Sequence, residues 1–301
     1  MPLDLSAVGT HGRVHAHSYC WRDQATYALG IGARCAEIRH LYEGVEGGMR
    51  AYPSYAVVPA FPAVVEMLER AQAPRRDILH NAARIVIHRP IPPEATVHTV
   101  ATLRAAYDLK RFAELTIDTE TSCDGSPLFD TEWTILVRGA GGFGGSRPSQ
   151  QARAPRLGRD STPDWSFVQA TSPEQALLYR LSGDVNPLHA DARVAAEVGF
   201  SAGPILHGLC TFGFLARAVI LTAASGDATR LRSLSAQFRK PVWPGDTLVI
   251  EGHAPARAAD SAASTGPGRV TVGLVVKVQG KPDPVVTNAW AEIAPASETL
   301  A

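Results

Sequence analysis

The sequence lacks an excess of charge, a cysteine framework and a signal-like N-terminus. Lys and Arg number 29, as do Asp and Glu, so the net charge is zero and the chain has no basic field for a nucleic acid. The 4 cysteines are scattered with no Cys-x-x-Cys pair, which excludes a disulfide framework and zinc-ribbon spacing. The start, MPLDLSAVGTHG, has no basic segment followed by an apolar one. These absences predict a cytoplasmic protein with no nucleic-acid partner.

Long apolar runs are also lacking. The most apolar stretch, 205–224, contains His207 and Arg217, which predicts a buried helix and no membrane span. Apolar residues make up 45% and charged residues 19% of the 301 residues. This balance is typical of globular proteins, and the length predicts two domains.

The sequence repeats a pattern in its two halves. ATYALGIGA, which ends at Ala33, resembles LLYRLSGDV, which ends at Val185, and HRPIPPEATV from His88 resembles RKPVWPGDTL from Arg239. We interpret this as duplication of one α+β unit. A stretch rich in Gly, Pro, Arg and Gln separates the halves, as linkers do. The predicted division is a first unit at 1–139, a linker at 140–162 and a second unit at 163–301.

Each unit combines one apolar helix with several strands. Helical spacing of apolar residues predicts helices at 62–71, with Pro62 in the first turn, and at 206–222. Alternating apolar residues between turn signals predict strands at 83–89, 95–107, 113–122, 127–138, 231–238, 247–253, 269–279 and 285–293. Antiparallel strands with one apolar helix per unit indicate a sheet that curls around a helix.

A glycine-rich segment at 139–144 matches the Gly-x-Gly-x-x-Gly pattern, and Asp160 follows about twenty residues later. A dinucleotide-binding fingerprint requires a helix directly after the glycines. The following SRPSQQARAPR has two prolines and no apolar periodicity. We therefore predict a flexible linker and no dinucleotide cofactor.

The most informative segment is YRLSGDVNPLH at 179–189. A helix that opens at Ser172 and Pro173 ends at Gly183, and a second helix runs from Asp191 to Gly199. The loop between them presents a carboxylate and an imidazole that can hold one water and move protons near neutral pH. The loop residues are Asp184, Asn186 and His189. The alternative is a capped helix junction with a structural Asp and a surface His.

Other chemistries fit this loop less well. A calcium loop needs oxygen ligands at alternating positions and a Gly at its turn, but Leu188 and His189 stand at those places. A metal site would need more ligands, and His207 is the only nearby candidate. Ser182 lacks the flanking glycines of a nucleophile elbow. In Pro204-Ile-Leu-His-Gly208, the Gly208 N–H at a helix start can donate to an oxyanion, and the same glycine can serve tight packing.

The segment YRLSGDVNPLHADARVA at 179–195 resembles the signature of the (R)-specific 2-enoyl-CoA hydratases (hydratase 2), members of the MaoC-like dehydratase group. GFSAGPILHGLCTFG at 199–213 continues the match, and RDQATYALGIGA and WTILVRGAGGFGG resemble the long form of that family. The resemblance implies a duplicated hot-dog fold. In that fold, each antiparallel sheet wraps a central helix.

The resemblance also implies roles for individual residues. Asp184 and His189 would hold and activate a water, and Asn186 would position that water or the substrate. The Gly208 amide would bind the thioester oxygen, and further substrate contacts would come from Ser182, Gly183 and His207. No metal or organic cofactor is expected, because the thioester already activates the alkene.

The first unit departs from this pattern. Gly32 stands where the second unit has Asp184, with no His at the matching spacing. The first unit is therefore expected to be catalytically silent and to shape the pocket for the acyl tail. The segment LHNAA at 79–83 stands where the family resemblance implies an LHGEQ-like segment. This departure bears on the acyl-chain specificity but not on the chemistry.

The expected activity is reversible hydration of a trans-2-enoyl-CoA to the (R)-3-hydroxyacyl-CoA, with Asp184 favoured as the base. The first alternative is a hot-dog acyl-CoA thioesterase with an Asp-activated water, which Asn-Pro-Leu-His after the Asp disfavours. The second is an acyl-thioester-binding module, which the pairing of Asp184 with His189 disfavours. The acyl group, and CoA versus a carrier protein, stay open. We expect a homodimer of double units.

Overall fold

A computed structural model describes residues 3–148, 162–253 and 268–296 of the chain. In these residues five α-helices and ten strands form, joined by turns and short 3-10 segments. The helices are α1 Trp21–Gly30, α2 Val57–Arg70, α3 Gln175–Tyr179, α4 Ala192–Glu197 and α5 Gly208–Thr222. The strands are β1 His15–Tyr19, β2 Ile78–Ile87, β3 Ala95–Asp108, β4 Phe112–Cys123, β5 Ser126–Arg138, β6 Trp165–Ala170, β7 Leu231–Phe238, β8 Thr247–His253, β9 Val270–Val278 and β10 Pro284–Ile293.

All ten strands belong to one antiparallel sheet in the order β1-β3-β4-β5-β2-β7-β10-β9-β8-β6. Each unit contributes five neighbouring strands, and β2 pairs with β7 at the junction. Helix α2 packs against the first half of the sheet and α5 against the second. The predicted α+β architecture is confirmed, and the five-stranded halves that pack on α2 and α5 join into one continuous sheet where the sequence predicted two.

Helix α5 forms the centre of the second unit. Most of its residues are buried, because the helix is apolar on nearly every face and the sheet surrounds it. Gly213 lets it approach α1, since a Cβ there would lie 2.2 Å from a methyl group of Ile31. The prediction of a buried helix at 206–222 is confirmed, and the helix begins at Gly208 with His207 as its N-cap. None of the described helices is long and apolar enough to cross a membrane.

Two features of the first unit differ from the sequence predictions. Helix α2 begins at Val57, so Pro62 lies inside the helix and not in its first turn. Proline removes one helical hydrogen bond, but seven buried residues of α2 pack into the core and outweigh that loss. The short strands β1 and β6 were not predicted, because β1 is only five residues long and contains three polar side chains.

The predicted linker at 140–162 lies mostly outside the described residues, as does Asp160. In its described part, 140–148, no helix follows the glycines. Instead, the carboxylate of Asp108 accepts hydrogen bonds from the N–H groups of Gly142 at 2.9 Å and Gly144 at 2.7 Å. These bonds hold the glycine-rich segment against the β3–β4 turn.

Candidate active site

The candidate site lies in the loop between α3 and α4. After α3, one 3-10 turn ends at Gly183, whose φ of 120° is a conformation that favours glycine. The Asp184 carboxylate then accepts from the N–H of Asn186 at 3.2 Å, and the Asn186 side-chain oxygen accepts from the N–H of Leu188 at 3.1 Å. Asp191 caps α4 through the N–H of Arg193 at 2.8 Å. The predicted helix–loop–helix is therefore confirmed.

His189 is fixed in one orientation by a backbone carbonyl. Its Nδ1 lies 2.8 Å from the oxygen of Ile205; since a carbonyl can only accept, Nδ1 carries the proton and Nε2 keeps a lone pair. The side chain is buried, and this burial lowers its pKa, while the Ile205 carbonyl and the Asp184 charge oppose the shift. The ring is therefore neutral at neutral pH, with Nε2 available as a proton acceptor.

His207 links the two predicted catalytic residues. Its Nε2 donates to the backbone carbonyl of Asp184 at 3.1 Å, and its ring stacks on that of His189 with centroids 3.7 Å apart. The residue is 1% exposed. Burial and the neighbouring His189 lower its pKa to about 2, so it stays neutral. In this geometry His207 fixes the Asp184 backbone beside the His189 ring.

One carboxylate oxygen of Asp184 and one ring nitrogen each of His189 and His207 lie within 4.8 Å of one another. One water can bridge a carboxylate oxygen and an imidazole nitrogen at this separation, because each hydrogen bond spans about 2.8 Å. A metal ion would need both imidazole lone pairs to converge on one point about 2.1 Å from each nitrogen. The two rings are stacked with 26° between their planes, and His207 already uses its Nε2 as a donor to the Asp184 carbonyl. The Asp184 carboxylate and the Nε2 of His189 are left to share a water.

Gly208 is the first residue of the fifteen-residue helix α5. Its N–H has no acceptor within the helix, since the first turn of a helix leaves its N–H groups unpaired, and the helix dipole makes this end favourable for negative charge. A Cβ at this position would lie 3.5 Å from the ring of Phe238. The start of α5 at Gly208 therefore lies against an aromatic side chain of β7.

The remaining predicted residues have different surroundings. Asn186 and Gly183 are exposed and shape the loop, as described above. The hydroxyl of Ser182 is enclosed and has no hydrogen-bond partner among the described residues. Two groups were missed: the Ile205 carbonyl, which orients His189, and the Phe238 ring. The sequence contains no signal for the first, because any residue supplies a carbonyl.

The corresponding position of the first unit cannot hold a catalytic side chain. Gly32 has a φ of 79°, and a Cβ on it would lie 2.5 Å from the Phe214 ring of α5. Its carbonyl accepts from the side chain of Gln169 at 2.8 Å. The space that Asp184 has in the second unit is filled in the first.

Comparisons with known proteins identify the family of the chain. Residues 157–274 match the model of the MaoC like domain, and residues 17–139 match that of the MFE-2 hydratase 2 N-terminal domain. The chain is 35% identical over 267 residues to the 3-hydroxyacyl-thioester dehydratase Y of Mycobacterium tuberculosis, which covers 86% of this chain and 90% of that protein. The chain belongs to the MaoC-like dehydratase family.

Further relatives support membership of the MaoC-like dehydratases. The peroxisomal enoyl-CoA hydratase 2 of Arabidopsis thaliana is 35% identical over 255 residues, with 78% of this chain and 82% of that protein covered. The crystal structure of a MaoC-like dehydratase from Phytophthora capsici superposes with a TM-score of 0.83 at 27% identity, with 98% and 99% of the chains covered. The predicted double hot-dog fold is thereby confirmed.

Proposed function

We propose that the protein hydrates trans-2-enoyl-CoA thioesters reversibly to (R)-3-hydroxyacyl-CoA. The observation that carries this proposal is the placement of Asp184 and His189 within 4.8 Å of each other in a loop beside the start of α5. Relatives named enoyl-CoA hydratase 2 and 3-hydroxyacyl-thioester dehydratase support the same chemistry.

The reaction needs one proton accepted and one proton delivered. The water oxygen bonds to C3 of the alkene as the C2=C3 π bond breaks, and the electron pair moves towards the thioester carbonyl. The Gly208 N–H stabilises the negative charge on the thioester oxygen. Because the neutral His189 has no proton at Nε2, the Asp184–His189 pair first accepts the proton of the water. It then delivers a proton to C2 on the same face, so atoms and charge balance.

The neighbouring residues support this pair. We assign His207 to positioning, since it donates to the Asp184 carbonyl and stacks on His189. Asn186 holds the turn that presents His189 through its bond to Leu188. Ser182 and Gly183 border the same loop and keep their proposed role as substrate contacts. We propose that neither a metal nor an organic cofactor takes part.

The first unit is proposed to be catalytically silent and to shape the pocket for the acyl tail. The close packing around Gly32 supports the lack of catalysis in the first unit, because the Phe214 ring leaves no room for a side chain at this position. We further propose a cytoplasmic location, and a homodimer of double units, for which light scattering should give twice the 32.1 kDa chain mass. A monomer in that measurement would contradict the dimer.

Hydration is tested with crotonyl-CoA and longer trans-2-enoyl-CoAs. We expect loss of the enoyl absorbance, formation of the (R)-3-hydroxyacyl product on chiral analysis, and the same rate after treatment with a chelator. Thiol release from a saturated acyl-CoA, without hydration, would favour the thioesterase instead. A folded protein that turns over no enoyl thioester would refute the proposal.

A further inference from the structure

His80 of β2 has an unusual environment for a histidine in a sheet. The ladder between β2 and β5 shifts between His80 and Ala82, and such a bulge re-aims side chains. The His80 ring stacks on Trp133 with centroids 5.0 Å apart and planes at 12°, and it meets the Phe238 ring edge-on at 5.2 Å. The Phe61 ring of α2 lies 6.1 Å from the Trp133 ring, centroid to centroid. These residues form an aromatic group, which we call the aromatic wall.

The hydrogen bonds of His80 leave one nitrogen as a free acceptor. Its Nε2 lies 3.0 Å from the carbonyl of Ala82, so Nε2 carries the proton and Nδ1 keeps the lone pair. No hydrogen-bond partner of Nδ1 exists among the residues that the structure describes. Burial lowers the pKa of His80 to about 4 against the opposing effect of the Ala82 carbonyl, so the ring stays neutral. The residue is half-buried and keeps some exposed surface.

The aromatic wall connects the proposed oxyanion donor with the interior of the first unit. Phe238 lies 3.5 Å from the Cβ position of Gly208 on one side and contacts His80 on the other. Beyond His80 lies Trp133, which is 2% exposed beneath α2. The phosphates of CoA must stay in water because burying unpaired charge is costly. The direction from Gly208 towards Trp133 therefore suits the acyl tail.

We propose that His80 is a specificity-determining residue whose Nδ1 accepts a hydrogen bond from a hydroxyl group on the acyl tail of the substrate. The inference rests on the proposed hydratase function. The substrate class is a trans-2-enoyl thioester with a hydroxyl-bearing tail, preferably a flat or ring-containing one, because flat groups stack on the aromatic wall. An acyl tail without a hydroxyl would leave Nδ1 without a partner, and an unmade hydrogen bond lowers affinity.

The test compares matched substrates. The first pair is oct-2-enoyl-CoA and 8-hydroxyoct-2-enoyl-CoA, and the second is 5-phenylpent-2-enoyl-CoA and its para-hydroxyphenyl analogue. For the natural sequence, we expect kcat/KM to favour the hydroxylated member of at least one pair by about tenfold, the size of one hydrogen bond. His80→Phe keeps an aromatic ring but removes the acceptor, so the ratio should fall to about one.

Three variants make the result specific. His80→Leu also removes the acceptor but introduces a smaller side chain than Phe. This variant is measured in place of His80→Phe if His80→Phe does not fold. His80→Gln retains an acceptor oxygen and should restore part of the preference. His98→Phe makes the same exchange at an exposed position of β3 and should keep the ratio of the natural sequence.

Two results would overturn the inference. One is a ratio near one for both pairs with the natural sequence, and the other is a preference that survives His80→Phe or His80→Leu. The inference is also contradicted if the His80 variants lose kcat/KM equally for all four substrates. That result would indicate that His80 contacts the pantetheine that the four substrates share. Failure of the hydratase proposal is distinguished from failure of this inference by a different result. In that case the protein with its natural sequence does not turn over unsubstituted oct-2-enoyl-CoA.

Discussion

Asp184 and His189 are held by different means, although both face the same space. The Asp184 backbone is tied through its carbonyl to His207, while its carboxylate accepts from the N–H of Asn186. His189 is oriented by the carbonyl of Ile205. Because His207 also stacks on His189, the two proposed catalytic groups share one support.

We predict that Asp184→Asn lowers the turnover of crotonyl-CoA at least 10²-fold, the lower end of what general acid–base assistance contributes, about 10²–10⁴. The Michaelis constant should barely change, since Asp184 is proposed to act on the water and not on the CoA or the acyl group. If both residues act on one water, as proposed, His189→Ala and the double variant should cost nearly the same as Asp184→Asn alone. Steady-state kinetics of the three variants measure this.

The control for this prediction is Asp23 in the first unit. Its carboxylate accepts from the N–H of Cys20 at 2.8 Å at the start of α1, so Asp23→Asn keeps the capping bond and should retain turnover near that of the natural sequence. If Asp184→Asn and His189→Ala kept most activity while Asp23→Asn abolished it, the chemistry would belong to the first unit.

The pKa of His189 gives a second prediction. Burial lowers this pKa and the Asp184 charge partly raises it, so the hydration rate should hold as the pH falls below 6.5 and drop only as His189 becomes protonated. In Asp184→Asn the raising charge is absent, and the pKa of His189 should fall further. NMR titration of the imidazole ε1 signal, assigned with His189→Ala, measures both values. A rise of the pKa in Asp184→Asn would contradict the geometry.

Residue types and spacing were enough to predict that the candidate catalytic residues lie in a loop between two helices. Gly183 and Pro187 are helix stop signals and Asp191 is a helix start signal, so the sequence predicted that Asp184 and His189 share a short loop. The supports of that loop could not be predicted. The Ile205 carbonyl and the stacking of His207 on His189 depend on how the chain folds back, which no local pattern encodes.

At the scale of the elements, α5 is joined to the first unit by a buried ion pair. Arg217 donates to both carboxylate oxygens of Glu37, at 2.6 Å and 2.9 Å, and to the carbonyl of Ile31 at 3.0 Å. The hydroxyl of Tyr52 also donates to Glu37. The guanidinium is 1% exposed and the carboxylate side chain 7%, so neither charge can be solvated if its partner is lost.

We predict that Glu37→Gln lowers the free energy of unfolding by about 3–5 kcal/mol, because it leaves the Arg217 charge buried without compensation. Urea denaturation followed by circular dichroism measures the change. Glu69→Gln breaks an exposed pair with Arg75 and should cost no more than about 1 kcal/mol. Equal losses in the two variants would show that burial of the Glu37–Arg217 pair has no energetic consequence.

Sequence patterns predicted most strands and both long helices, with errors that have physical causes. The helix start near Pro62 was placed too late, since a proline is expected in the first turn, whereas packing of α2 against the sheet tolerates it inside. The edge strands β1 and β6 are short, and each pairs with one neighbour only. These strands form because they pair with β3 and β8, which are distant in sequence. The alternation of apolar residues within a short segment does not predict such a tertiary contact.

At the scale of the whole molecule, the two units share one sheet and one core. Strands β2 and β7 pair at the centre of the sheet, from Ala82 opposite Gln237 to Val86 opposite Ser233. The side chain of Gln175 donates to the carbonyl of Gly30 at 2.7 Å. Hot-dog units that pair through their sheets thus find their partner within the same chain.

These shared contacts predict that the second unit does not fold alone. A fragment of residues 163–301 would expose the edge of β7 and lose the partner of the buried Arg217, and an unpaired buried charge by itself costs about 3–5 kcal/mol. Since domains are stable by only about 5–15 kcal/mol, the fragment should show no cooperative thermal unfolding and no hydration of crotonyl-CoA. Co-expression with residues 1–139 should restore both, because it supplies β2 and Glu37. The full chain should unfold in a single calorimetric transition. A fragment that unfolds cooperatively and keeps the turnover of the full chain would show that the catalytic unit is independent of the first.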